Sequence, residues 1–283
     1  MTEEIPAQTT GRRVLVTGGA SGLGKAMVTR FASEGWRVLA TDIDDAAMSA
    51  LEQELGRSGS VTVRRLDVRD DSDWLRARQW CEDTWGGLDL LVNNAGVAAG
   101  GRMETTSLDD WDWILELNLK SVVRGCRTFI PLFKAQGSGY IVNTASLAGI
   151  AQLPAMASYN TTKAAVIALS QTLRYELKPY GIGVSVLCPA FVKTNLGASM
   201  RSADPAAIAT ANKLIDNSKV TPAQIADKVF AAVQAERFLI LTERDGRVLS
   251  LVKRVSPSLV EKVVVRQWSK TRRKFDTPVK EKV

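Results

Sequence analysis

Arg13-Val14-Leu15-Val16-Thr17-Gly18-Gly19-Ala20-Ser21-Gly22-Leu23-Gly24 is the stretch from which the fold follows. Its first five residues read as a buried strand. Four glycines then punctuate a tight turn, and Leu23, Met27, Arg30 and Phe31 recur at helical spacing until Gly35 stops the helix. Strand, glycine turn and helix in that order let the backbone come close to an anion, and the helix N-terminus offers it unpaired N–H groups. The spacing is Gly-x-x-x-Gly-x-Gly rather than Gly-x-Gly-x-x-Gly. A tight turn without a ligand is the plain alternative, and the context favours a nucleotide site over it.

Outward from this unit the same rhythm repeats. Strands are expected over 36–42, 61–68, 88–92, 140–144, 182–187 and 238–242. Helices are expected over 44–55, 71–85, 108–135, 157–179 and, opened by Thr221-Pro222, to Ala235. Alternating strands and helices imply an α/β fold with a parallel, doubly wound sheet of about seven strands and helices on both faces. We expect one catalytic domain over 12–243 with a substrate loop at 190–221, a flexible N-terminus at 1–11, and a basic, helical C-terminal extension at 244–283.

Composition narrows the chemistry. The chain has 283 residues and no histidine, which excludes histidine-based triads and most zinc sites. No metal site is expected. Cys81, Cys126 and Cys188 are far apart and fit buried thiols in a reducing compartment. No run approaches the ~18 apolar residues of a membrane span, and 1–11 lacks a signal pattern, so a cytoplasmic location is expected. The net charge of +7 is uneven: residues 244–283 hold 12 Lys/Arg against 4 Asp/Glu, net +8, leaving 25 against 26, net −1, for 1–243.

Two further features carry chemistry. Asp42 ends the second strand, 24 residues after Gly18, where a carboxylate can accept bonds from ribose hydroxyls and would repel a 2′-phosphate. Ile43 supplies no cation to reverse this, so NAD is favoured over NADP; a capping carboxylate is the alternative. Asp67 and Val68, ending the third strand, could touch and pack on an adenine, or simply make a turn. Tyr159 and Lys163 stand four apart on one helix face. A free phenol titrates near 10. A neighbouring ammonium would lower that value, and a base at neutral pH needs about 4 kcal/mol of such help, part of it from a bound cation such as an oxidised nicotinamide. Alone, the pair also fits a core tyrosine beside a solvated lysine.

Taken together, Thr17-Gly-x-x-x-Gly-x-Gly24, Asp67, Asn93-Asn94-Ala95-Gly96, Asn118, Ser146, Tyr159-x-x-x-Lys163 and Pro189-x-x-Val192-x-Thr194 resemble the short-chain dehydrogenase/reductase family over about Arg12–Thr242. The resemblance implies a Rossmann-type fold and a homodimer or homotetramer. It implies that Ser146 bonds the substrate oxygen, Tyr159 exchanges its proton, Lys163 holds the nicotinamide ribose and lowers the phenol's pKa, and Asn118 keeps a relay water. It implies that Asn93 steadies the sheet. Gly18, Ser21, Gly22, Leu23, Gly24, Asn94, Ala95, Gly96, Pro189, Val192 and Thr194 would surround the cofactor. One departure is Pro189-Ala190 where Pro-Gly is usual, which puts the path of the substrate loop in question.

Leu147, Ile150, Leu153, Met156, Phe191, Leu196 and Met200 give the substrate side an apolar character, without an Arg or Lys cluster. The reading is an NAD-dependent oxidoreductase acting on a hydrophobic alcohol or its carbonyl. Its rivals are an NADP-dependent carbonyl or 3-oxoacyl reductase and a catalytically idle nucleotide sensor or membrane-docking protein. Ser256-Pro257 opens a basic amphipathic helix to about Lys274, for which packing on the domain or a sister subunit is favoured over peripheral membrane contact. Nucleic acid is not an expected partner.

Overall fold

A computed structural model describes residues 11–56, 59–193, 197 and 200–274. Seven parallel strands form one sheet in the order β3-β2-β1-β4-β5-β6-β7. They are β1 (Arg13–Thr17), β2 (Arg37–Asp42), β3 (Val61–Arg65), β4 (Leu90–Asn93), β5 (Gly139–Thr144), β6 (Ile182–Cys188) and β7 (Leu239–Leu241). The strand order reverses between β1 and β4, which opens a crevice at their carboxyl ends.

The period-2 alternation of β1 decides which helices cover which face. Leu15 belongs to a core built with Trp74, Phe129, Phe133, Val166 and Leu173, from α3 (Asp71–Trp85), α5 (Ser121–Gln136) and α7 (Ala157–Leu177). Val14 and Val16 face the opposite way. They meet Met27, Phe31, Ile225 and Val229 from α1 (Gly22–Ser33) and α9 (Pro222–Gln234). Helix α2 (Asp45–Leu55) lies between β2 and β3 in the chain. Thr221 and Gln224 close a capping box at the start of α9, as the Thr-Pro pair predicts.

One expectation is refined and two are corrected. The helix expected over 108–135 is α4 (Leu108–Leu115) and α5 joined by a π turn, Glu116–Lys120. One inserted residue shifts the hydrogen-bond register without breaking the apolar spacing, so the pattern gives no warning. The 190–221 segment is not all loop: α8 (Pro205–Asp216) lies within it, with Asp204 and Pro205 at its start. The extension holds two helices, α10 (Arg244–Val255) and α11 (Pro257–Thr271), rather than one. Among the described residues no helix is long and apolar enough to cross a membrane.

Candidate active site

A cleft of about 720 Å³ runs from the glycine turn, along the ends of β4 and β5, to the 190–216 segment. Gly18, Ser21, Gly22, Leu23 and Gly24 line one end. Gly18 and Gly22 sit at φ +61° and +51°, in the left-handed region. A Cβ on Gly24 would lie 1.8 Å from the Gly18 carbonyl oxygen, so this turn admits no side chain there. Ser21 caps α1 without a side-chain bond. The first N–H groups of that helix thus donate no bond to the Ser21 side chain, and their residues border the cleft. This is a cradle of the shape and polarity that a pyrophosphate fits.

Asp42 and Val68 border the same end. The Asp42 carboxylate accepts from Ala20 N at 3.1 Å, Ile43 N at 2.8 Å and Asp44 N at 3.3 Å, tying the glycine turn to the end of β2. Its lone pairs are not exhausted by three donors. Asp67 also borders the cleft, but its two oxygens are gripped by the Arg69 guanidinium at 2.6 to 3.2 Å. That grip holds its carboxyl below the usual range.

Between the two ends lies a frame of asparagines. The Asn94 side chain donates to Thr17 O at 2.9 Å and Gly18 O at 3.3 Å, while Thr17 Oγ1 accepts from Asn94 N and Ala95 N. Asn93 donates to Asn143 Oδ1 at 2.9 Å, and Asn143 to Ser170 Oγ at 3.0 Å, a buried relay crossing β4, β5 and α7. Asn118 is fully buried in the π turn. Its amide bonds both backbone groups of Val97, at 2.8 and 2.9 Å. A Cβ on Gly96 would meet Asn118 Oδ1 at 2.9 Å and Lys163 Nζ at 3.5 Å, so both groups close on this glycine where a side chain would stand.

Ser146, Tyr159 and Lys163 form the middle of the cleft wall, and all three are buried. Ser146 follows β5 and caps α6 (Leu147–Ala151), its Oγ accepting from Ala148 N at 3.1 Å. The same hydroxyl reaches Pro189 O at 3.4 Å. Lys163 Nζ donates to Thr144 O at 3.0 Å and lies 5.8 Å from the centre of the Tyr159 ring. Burial lowers its pKa to about 8, which leaves it mostly protonated at neutral pH. The expected lowering of the phenol is not found: burial raises the Tyr159 pKa, against the opposing bond from Ser146. The cost of burying a phenolate outweighs the help that neighbouring groups give it.

The far end is apolar. Leu147, Leu153, Met156, Phe191 and Met200 border it as expected. Ile150 does not: it packs against the main core, because the short turn of α6 aims it inward. Leu196 and Thr194 lie outside the described residues. Pro189 and Val192 border the cleft. Ala190 does not adopt positive φ, so the missing glycine causes no strain. Its N–H donates to Glu243 Oε2 at 3.2 Å.

A family profile described as short chain dehydrogenase matches residues 12–205. The chain belongs to the short-chain dehydrogenase/reductase family. It is accordingly an NAD(P)-dependent oxidoreductase that binds a nucleotide cofactor and a small-molecule substrate. It is 36% identical over 197 residues to 3beta-hydroxysteroid dehydrogenase 2 of Eggerthella lenta, a match covering 68% of this chain and 75% of that one. It is 37% identical over 184 residues to the 3-alpha-(or 20-beta)-hydroxysteroid dehydrogenase of Mycobacterium bovis, covering 65% and 70%. Among solved structures, a short-chain dehydrogenase/reductase from Burkholderia phymatum in complex with NAD superposes with a TM-score of 0.83 at 31% identity. That match covers 89% of this chain and 96% of the other.

In this short-chain dehydrogenase/reductase the apolar end of the cleft also holds residues that no sequence motif marks. Ala211 and Ile215 of α8 border the cleft, and Asp204-Pro205 was the available signal for their helix. Asp204 is 3% exposed and takes Arg102 N at 2.8 Å, Thr105 Oγ1 at 3.0 Å and the Arg102 guanidinium at 3.3 Å. Burial pushes its carboxyl up, but these bonds outweigh that and hold it low. The 200–216 segment is thereby latched to the 99–106 loop, a pairing of distant segments that no local pattern announces.

Proposed function

We propose that the protein uses NAD to interconvert a hydrophobic alcohol, of the hydroxysteroid kind, and its carbonyl form. The observation that carries this reading is one continuous cleft with three parts. Its glycine cradle and Asp42 lie at one end, Ser146, Tyr159 and Lys163 at its middle, and an uncharged apolar pocket at the other. The two hydroxysteroid dehydrogenases named above support a rigid apolar substrate.

In this reading Gly18, Ser21, Gly22, Leu23 and Gly24 hold the pyrophosphate, and Asp42 accepts from the adenosine ribose. Val68, Asn94, Ala95, Gly96, Pro189 and Val192 line the rest of the cofactor's path, with Asp67 acting through its bond to Arg69. Thr194 is assigned there from the motif alone. When bound, the nicotinamide supplies or accepts the hydride. Ser146 Oγ holds the substrate oxygen beside the Tyr159 hydroxyl. Tyr159 takes the hydroxyl proton during oxidation and returns one to the carbonyl oxygen during reduction. Lys163 steadies the ribose and the ring, and Asn118 and Gly96 set its position. A neutral, buried phenol suits donation, so reduction should persist at neutral pH and oxidation should gain as pH rises.

The test is a cofactor-absorbance screen of hydroxysteroids, other apolar alcohols and small hydroxy acids, each with NAD and with NADP. Turnover of apolar alcohols with NAD is expected. Turnover confined to small charged substrates, or to NADP, would overturn the substrate or the cofactor assignment respectively.

A further inference from the structure

We propose that the outward face of α10 and α11 docks on an anionic lipid bilayer. In α11, Val260 is buried, and Val264 and Trp268 on the same side are half-buried. The opposite side, by helical spacing, carries Leu259, Lys262, Val263, Arg266 and Lys270. Leu259 is 53% exposed and Val263 61%. Two aliphatic side chains thus stand in solvent among three exposed cations, with Arg273 continuing the charge beyond the helix.

The preceding helix repeats the arrangement. Lys253 turns inward, donating to Ile150 O and to Gln152 Oε1 at 2.5 Å, and Gly246 lies against Leu147. These contacts pin α10 to the catalytic domain. Its outer positions are Arg247, Leu251, Arg254 and Val255, with Leu251 63% and Val255 75% exposed. An ordinary solvated helix carries polar groups at such positions.

Charge selects the occupant. Residues 244–274 contain ten Lys/Arg and two Asp/Glu, net +8. A second copy seated on this face would bring like charge to like charge. Nucleic acid would find cations but no outward aromatic platform, since Trp268 turns inward to a cavity shared with Gly101, Pro154 and Ala155. A bilayer rich in acidic headgroups satisfies both halves of the face: cations at the phosphate level, Leu and Val below it. Pro154 and Ala155 lie in the chain between Leu153 and Met156, which border the catalytic cleft. If the apolar substrate proposed above holds, docking places its entrance beside a lipid phase. The docking itself does not depend on that reading.

Flotation of the full chain with phosphatidylcholine vesicles, with and without phosphatidylserine, tests the proposal without any turnover assay. Binding to the acidic vesicles and its weakening by salt are expected. Replacing Lys262, Arg266 and Lys270 by Gln should reduce binding about 100-fold. Replacing Leu259 and Val263 by Ser should reduce it about tenfold. Thermal melting checks that each variant is folded; if the Ser pair is not, Leu259→Ala with Val263→Ala replaces it. Equal binding to both vesicle types, binding to neither, or variants that bind like the parent would overturn the proposal. So would a concentration-dependent dimer that the Leu259/Val263 variant dissolves, which would reassign the face to self-association.

Discussion

The two ends of the cleft are built by different means. The cofactor end is made of backbone. Its shape depends on left-handed glycines, on a Gly24 position with no room for a Cβ, and on asparagine and aspartate side chains that bond main-chain groups. The apolar end is made of side chains: Leu153, Met156, Phe191 and Met200 border it, and a polar latch at Asp204 ties the nearby 200–216 segment to the 99–106 loop. Backbone geometry tolerates few substitutes, whereas apolar side chains of similar volume exchange at modest cost. One end is therefore constrained to a single type of ligand, and the other is free to vary.

Four variants would break or sharpen this contrast. Tyr159→Phe lies where the ends meet. It should lower kcat about 1000-fold while leaving NAD affinity, followed by cofactor fluorescence, nearly unchanged. A large loss of NAD affinity would mean that the phenol belongs to the cofactor end instead. Gly24→Ala should do the reverse, weakening NAD about 100-fold through the clash with Gly18 O, whichever alcohol is offered.

Lys163→Met separates function from stability. Below pH 8 the native lysine is charged in a buried setting, a cost that fades as pH rises from about 8 to the unfolded value near 10.5. The folded form binds fewer protons in that window, so stability of the parent should increase with pH there. The methionine variant should be inactive yet more stable than the parent, by about 2 kcal/mol at pH 7. That gap should close near pH 10.5 in denaturant titrations. A variant less stable at pH 7 would show that the bond to Thr144 O outweighs desolvation.

The smallest effect is expected at the latch. Asp204→Asn should cost about 1–2 kcal/mol and raise the KM for the alcohol, with NAD affinity unmoved. A fall in NAD affinity would show that the two ends are mechanically joined.

The same contrast explains what the sequence discloses. The β1 turn was readable because short-range sterics dictate its glycines, and the alternation of strands and helices dictates the sheet. Ser146, Tyr159 and Lys163 were readable as a set because all three ride on those elements. The π turn at Asn118 left no trace in the apolar spacing. Helix α8 announces itself only by Asp204-Pro205, inside a stretch that otherwise reads as loop. The rise in the Tyr159 pKa could not be read from its neighbour four residues on, because burial depth is a property of the whole packed domain. Ile150 went astray for a similar reason: its direction depends on one turn of α6.

The three thiols have a practical consequence. Cys81, Cys126 and Cys188 are all buried without disulfides in the one core cluster that holds Leu15 and Trp74, and burial pushes each up to about 12. The native chain is therefore nearly inert to alkylating reagents, which attack thiolates. Any labelling marks molecules that have opened, and the order in which the three positions react gives a clock for how this enzyme comes apart.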